Sequence, residues 1–147
     1  MDSMIQPLRD DLMVQEQLPA GRTVNGAWQH MVAVIMLNQT GRKPVKTVLP
    51  IFLDRWPTPF KFDRATDEEV REVIWPLGLV SVRLKRLRGM TRDFATWQHD
   101  DARRLYGIGQ YGSDSYEIFF CNRRDIQPRD KELRRYLEAL NENHCAC

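Results

Sequence analysis

The sequence predicts an all-α fold, a single compact helical domain, and three observations lead there. Apolar residues recur at spacings of three and four in segment after segment, the period of one helix face. Strand signals, the alternation of apolar and polar residues, are weak everywhere. Helix-start and helix-stop residues fall at the ends of the periodic segments. With no internal repeat, low-complexity tract or Pro/Ser linker, one domain is expected over 1–147.

The elements follow in chain order. Trp28, Met31, Val32, Ile35 and Met36 mark a first amphipathic helix, with Asn25 as its expected cap. A second carries Val45, Val48, Leu49 and Phe52 with Pro44 in its first turn, and Pro50 is expected to distort or interrupt it. Thr66-Asp67-Glu68-Glu69 has the form of a capping box ahead of Val70, Val73, Ile74 and Leu77. Gly78 reads as a left-handed stop, unless Pro76 ends that helix sooner. Val80, Leu84 and Leu87 predict a helix over 80–90. A short helix over 101–106 and a longer one over 110–121 flank Gly107-Ile108-Gly109. Leu133, Tyr136, Leu137 and Leu140 predict a last helix over 131–143.

Composition sets the class of protein. With 42% hydrophobic and 29% charged residues, the chain has enough apolar surface for a core of its own. No apolar run approaches the ~20 residues that cross a bilayer, and MDSMIQPLRDD lacks the apolar core of a secretory signal. Cys121, Cys145 and Cys147 form no disulfide framework, which points to a reducing, intracellular setting. The net charge of +2 excludes little by itself, but Arg83, Lys85, Arg86, Arg88 and Arg92 put five positive charges into ten positions. Such a strip reads either as a phosphate-contacting face or as a solvated helix face.

The most specific feature is Leu105-Tyr106-Gly107-Ile108-Gly109-Gln110-Tyr111-Gly112. Gly107 and Gly109 let the backbone turn tightly and approach a ligand without a Cβ in the way. Ile108 plugs the turn into the core. The following helix offers unpaired N–H groups to a phosphate. A lone G-x-G is common, but between two helices with an apolar residue in its middle it resembles the helix-hairpin-helix DNA-binding motif. Gly107, Ile108, Gly109, Gln110 and Gly112 are therefore the candidate DNA-backbone contacts, which hold a duplex without reading its sequence.

The resemblance extends along the chain. Val14-Gln15-Glu16, Leu37-Asn38-Gln39-Thr40, Pro76-Leu77-Gly78-Leu79, the hairpin segment through Tyr116, and Pro128-Arg129-Asp130 fall in the order found in one branch of the helix-hairpin-helix DNA glycosylase superfamily. That branch is the glycosylase domain of the methyl-CpG-binding-domain thymine/uracil mismatch glycosylases, and the resemblance covers about residues 12–143. It implies a fold of the helix-hairpin-helix glycosylase type. The substrate it implies is double-stranded DNA holding a mispaired or damaged pyrimidine, met by a monomer away from any membrane, in nucleus or nucleoid.

Residue roles are implied by the same resemblance. Asp130 is the catalytic carboxylate: breaking an N-glycosidic bond builds positive charge on the sugar, and a fixed anion stabilises it while orienting or deprotonating a water. On the residues alone, Asp130 reads as the cap of the last helix. Tyr111 stands where bifunctional members carry a lysine nucleophile, which implies a monofunctional enzyme, and it lines the base pocket. Val14 and Gln15 meet the flipped base, the glutamine amide suiting the polar edge of thymine or uracil. Leu79 is the apolar wedge beside the estranged guanine, with packing beside Gly78 as its structural alternative. Gln39 departs from the pattern, since family members carry an arginine there; flipping is then either weaker or supported by Arg42 or Lys43.

No cofactor is expected. Some superfamily members hold an iron–sulfur cluster on four cysteines, and three cannot supply it. No metal site is expected either: His30 and His99 lack ligand spacing, and His144-Cys145-Ala146-Cys147 reads as a frayed tail. Two other functions stay open at this point: a non-catalytic DNA-binding module, and a same-scaffold enzyme acting on a modified pyrimidine.

Overall fold

Helix α1 (Val24–Leu37) runs through the centre of the molecule, buried without a break over 26–36. A helix apolar on every side has no face for water and must be wrapped by others. Its cap is Thr23 rather than Asn25, which lies inside the helix. The Thr23 hydroxyl accepts the Gly26 N–H at 3.0 Å and donates to the Ala20 carbonyl at 2.9 Å. The loop before α1 crosses so close that a Cβ at Gly26 would sit 1.8 Å from the Gly21 carbonyl oxygen. These are features of a computed structural model that describes residues 5–145, with side chains to residue 142.

Helix α2 (Arg42–Arg55) passes straight through Pro50, against the expected interruption. A proline there leaves the carbonyl of Lys46 without its helical donor. The Leu8 N–H takes that place at 3.0 Å, so a distant segment satisfies the orphaned acceptor. Neither the short α3 (Pro59–Asp63) nor the 3-10 turn Val14–Glu16 shows in the periodicity, each being too brief to display one. Thr58 caps α3, and its Phe62 completes an aromatic cluster with Trp28 and Phe52 at centroid separations of 5.8 and 5.4 Å.

Helix α4 (Asp67–Ile74) begins with the predicted capping box: Glu69 N–H donates to the Thr66 hydroxyl at 3.2 Å, and Thr66 N–H donates to the Glu69 carboxylate at 2.8 Å. Pro76 sits in a 3-10 turn, Trp75–Leu77, that closes it. Helix α5 (Val80–Phe94) lies along α1, where the Trp28 indole N–H reaches the Thr91 hydroxyl at 3.0 Å.

The expected helix over 101–106 is one 3-10 turn, Ala102–Arg104. After the hairpin, α6 (Gln110–Ser115) widens into a π turn, Tyr116–Phe120, instead of continuing evenly to Cys121. Across that turn the Tyr116 and Phe120 rings stack with centroids 5.2 Å apart. Helix α7 (Lys131–Cys145) docks through a second small cluster of Ile118, Leu133 and Leu137. Among the described residues there is no strand, and no helix is long and apolar enough to cross a membrane.

Candidate active site

Three segments far apart in sequence meet at one place: the Val14–Glu16 turn, the first turn of α6 and the start of α7. The turn is closed by Glu16, whose carboxylate accepts the Met13 N–H at 2.9 Å, and it buries Val14 and Gln15. From there the Gln15 amide donates to the Tyr111 hydroxyl at 2.8 Å and to the Ser115 hydroxyl at 3.2 Å. Tyr111 and Ser115 are four apart on α6, hence on one face. Ser115 in turn pairs with His30 Nε2 at 2.8 Å, fully buried on α1. A single hydrogen-bonded chain thus runs from the Tyr111 phenol into the core.

Burial sets the protonation of both ends. The Tyr111 hydroxyl is pushed up to about 12, first by desolvation and then by the negative charge of Asp130, with the Gln15 hydrogen bond opposing. Burial drives His30 down to about 3, so its ring is neutral and accepts or donates one proton according to tautomer. Since the Gln15 amide protons are engaged inside the protein, its carbonyl oxygen is the part left for a ligand. Gln15 and His30 also line a cavity of about 330 Å³ with Leu18, Phe119, Arg124 and Tyr136.

Asp130 is half-buried and caps α7: one carboxylate oxygen accepts the Leu133 N–H at 3.0 Å. The capping bond occupies Oδ2 and fixes the side chain. Its negative charge is felt at the Tyr111 hydroxyl. Capping and a catalytic position are therefore compatible in the same carboxylate. Arg42, at the start of α2, sits beside α7 with its guanidinium 3.8 Å from Glu132, while Lys43 is exposed.

Gln39 and Leu79 stand on two loops at the C-terminal end of α1 and the start of α5. Both are exposed, Leu79 by 51%, and both have left-handed backbones, φ 61° and 47°. A left-handed leucine costs roughly 1–2 kcal/mol, and an apolar side chain held in that state toward solvent is not core packing. Gly78, with φ 74° and ψ 178°, carries the expected positive φ at the end of the Trp75–Leu77 turn, and the left-handed Leu79 after it is the N-cap of α5.

The basic strip needs correction. Arg83 is buried, and its guanidinium is spent on the protein's own backbone; burial pulls it below the ordinary guanidinium value. Arg88 is tied to Asp67 and to the Phe62 and Ala65 carbonyls. Lys85 and Arg92 remain exposed, and Arg86 is half-buried against Gly107.

In the hairpin, Gly107 needs its glycine, with φ 82°, and Ile108 is buried as a plug. Gly109 is extended and has open space where a Cβ would stand. Gln110 is exposed and donates to Asp114 at 2.8 Å. Gly112 was expected at DNA but is buried: a Cβ there would meet Ile108 and Val34 at 2.7 and 2.8 Å. Its role is to let α6 close on α1.

Ser115 and His30 escaped the sequence reading. The four-residue spacing from Tyr111 was a usable signal for Ser115. His30 had none, since a lone histidine in an apolar helix shows no partner. Among the described residues, no group of His, Cys, Asp and Glu is placed to hold a metal. Helix α7 continues to Cys145, and the side chains of His144 and Cys145 together with Ala146 and Cys147 lie outside the described residues.

The chain is 27% identical over 126 residues to a thymine/uracil-DNA glycosylase of Pyrobaculum aerophilum, covering 81% of this chain and 54% of that protein. It is 28% identical over 127 residues to a thymine-DNA glycosylase of Aeropyrum pernix, covering 81% and 56%. Over 116 residues it is 27% identical to a methyl-CpG-binding domain protein 4-like protein of Arabidopsis thaliana, covering 77% and 26%. The chain thus spans about half the length of the archaeal relatives and about a quarter of the plant one. Residues 32–144, which carry the hairpin, Tyr111 and Asp130, match the description "HhH-GPD superfamily base excision DNA repair protein", and the chain belongs to that family.

Proposed function

We propose that the chain is a monofunctional DNA glycosylase that flips thymine, uracil or a 5-substituted uracil mispaired with guanine and removes it by hydrolysis, leaving an abasic site. The observation that carries this reading is the Gln15–Tyr111 hydrogen bond beside Asp130. It supplies a polar edge-reader, a protonated phenol where a Schiff-base enzyme needs an amine, and a carboxylate in one place.

The chemistry follows from those groups. The Gln15 carbonyl oxygen accepts the N3–H of a uracil-type base, which cytosine lacks at that position. As the C1′–N1 bond breaks, its electron pair leaves with the base and positive charge grows on the sugar. The Asp130 carboxylate stabilises that charge and takes a proton from the water whose oxygen bonds to C1′. Tyr111 has no amine to form a covalent adduct, so the strand is left uncut. Leu79 and Gln39 fill the space vacated in the stack, and the hairpin holds the backbone.

The test is base release from duplexes carrying G·T, G·U and A·T pairs, revealed as alkali-labile sites. Release from the two mispairs and not from A·T is expected, with Asp130→Asn binding the same DNA without releasing base. The capping bond of Asp130 is what favours a non-catalytic module, and salt-sensitive binding with no release from any duplex would establish that instead. Gln39, in place of arginine, leaves a modified pyrimidine as the alternative substrate. Mass spectrometry of bases freed from modified duplexes separates that case.

A further inference from the structure

Arg83 is 1% exposed, yet its hydrogen-bond partners are four backbone carbonyls and a hydroxyl. Nη1 donates to the Ile35, Met36 and Asn38 carbonyls at 3.0, 3.0 and 2.9 Å. Nε donates to the Gly78 carbonyl at 3.0 Å, and Nη2 to the Thr40 hydroxyl. The carbonyls at the end of α1 are the negative pole of that helix and offset the buried charge. Thr40 then donates to the Leu77 carbonyl at 3.3 Å, a second tie between the same two loops.

What lies between these anchors is telling. Gln39 sits between Asn38 and Thr40, and Leu79 follows Gly78 directly. Both are exposed and both are held in left-handed backbone. The guanidinium is a rigid planar fork, so donors on its different edges hold their acceptors at fixed separations. A loop carrying strain at an exposed side chain keeps that conformation only when its neighbours are over-determined.

We propose that Arg83 is a positioning residue for duplex opening, locking Gln39 and Leu79 into one two-pronged unit that enters the DNA stack together. This rests on the glycosylase reading above, in which those two side chains fill the gap left by a flipped base. Arg83 touches neither DNA nor the reacting bond; it acts through the two loops. A lysine in its place keeps charge but cannot span both loops with fixed geometry.

The experiment uses the full chain with Arg83→Met and Arg83→Lys, the lysine variant serving if the methionine variant does not fold. Single-turnover release of uracil is measured from a G·U duplex and from a single strand, where there is no stack to fill. On the duplex, a loss of about 100-fold is expected for Arg83→Met, the scale of a misplacement remote from the chemistry, with a smaller loss for Arg83→Lys. On the single strand both variants retain wild-type release. Equal losses on the two substrates, or no loss on the duplex, would overturn the proposal. If the wild-type chain releases no base at all, the glycosylase reading fails separately, and if it acts on the duplex alone, the single-strand arm gives no readout. Hydrogen exchange then decides: faster exchange in both variants at 38–40 and 78–79 together supports the coupling, and unchanged exchange there overturns it.

Discussion

Gln15 and Tyr111, 96 positions apart, are joined by an amide-to-phenol hydrogen bond of 2.8 Å, and the same amide reaches Ser115 at 3.2 Å. The bond ties the short turn near the start of the chain to the helix after the hairpin. Gln15→Leu keeps the bulk and removes both bonds, leaving two hydroxyls without their donor. A loss of about 1–3 kcal/mol in stability is expected, read from denaturant midpoints. Uracil release is expected to fall with it; a stable and fully active Gln15→Leu variant would remove Gln15 from the pocket.

On the proposed function, Asp130 has two separable duties. Asparagine caps a helix about as well as aspartate, whereas alanine at such a position costs about 1 kcal/mol. Asp130→Asn is therefore expected to melt with the wild type and Asp130→Ala below it. Both are expected to lose at least about 100-fold in base release, the scale of general-base catalysis. Equal activity of either variant with the wild type would leave only the cap.

His30 gives the fold an acid limit. Its folded-state value, about 3, lies below its ordinary 6.5, so between those values the unfolded chain binds a proton that the folded chain does not. Its contribution is fully present above about pH 6.5 and is lost as pH falls toward about 3, by an amount of order a few kcal/mol. Urea midpoints measured from pH 7 to pH 4 are expected to fall, and His30→Gln to flatten that slope. An unchanged slope in the variant would place the acid sensitivity elsewhere.

Leu79 separates stability from function. Glycine relieves the left-handed backbone, so Leu79→Gly is expected to leave the melting temperature unchanged or to stabilise by at most about 1 kcal/mol. On the proposed function the same change removes the wedge, and duplex uracil release is expected to drop by at least roughly tenfold, about 1.4 kcal/mol of barrier. A variant that loses stability and activity together would return Leu79 to ordinary packing.

Gln39 offers the reverse experiment. Its side chain is exposed and its backbone, φ 61°, is already left-handed, so Gln39→Arg exchanges one non-glycine residue for another without new strain. One added phosphate contact is expected to steepen the dependence of log K on log salt concentration by about 1. Binding isotherms at four or five salt concentrations measure it. An unchanged slope would mean that position 39 faces no phosphate.

Features whose energetics are local were legible in the residues. The Thr66–Glu69 capping box and the Gly107 turn depend on partners within four positions, so residue type and spacing carry them. Asp130 reads as a cap from its neighbours, which the Leu133 N–H bond bears out, and its proposed catalytic role rests on the resemblance of the whole motif series. Periodicity located the long helices but not the brief ones, because Pro59–Asp63 is shorter than two turns.

Pro50 and Arg83 show what needed the tertiary structure. Proline breaks a helix because it strands a carbonyl, and here the Leu8 N–H arrives from another segment to fill that bond. On charge alone Arg83 reads as part of a phosphate-contacting or a solvated strip, because charge is all a sequence shows of an arginine. Its actual partners are four carbonyls and the Thr40 hydroxyl, from α1 and two loops, 43 to 48 positions away except for Gly78. The sequence by itself determined the helical class, the hairpin and the residue types of the site, since these follow from period, turn chemistry and functional groups. Which polar groups are buried, and whom they meet, is a property of surfaces brought together from distant positions. Only the folded chain decided that Gln15, Tyr111, Ser115 and His30 form one line beside Asp130, and that Arg83 braces the loops rather than facing a phosphate.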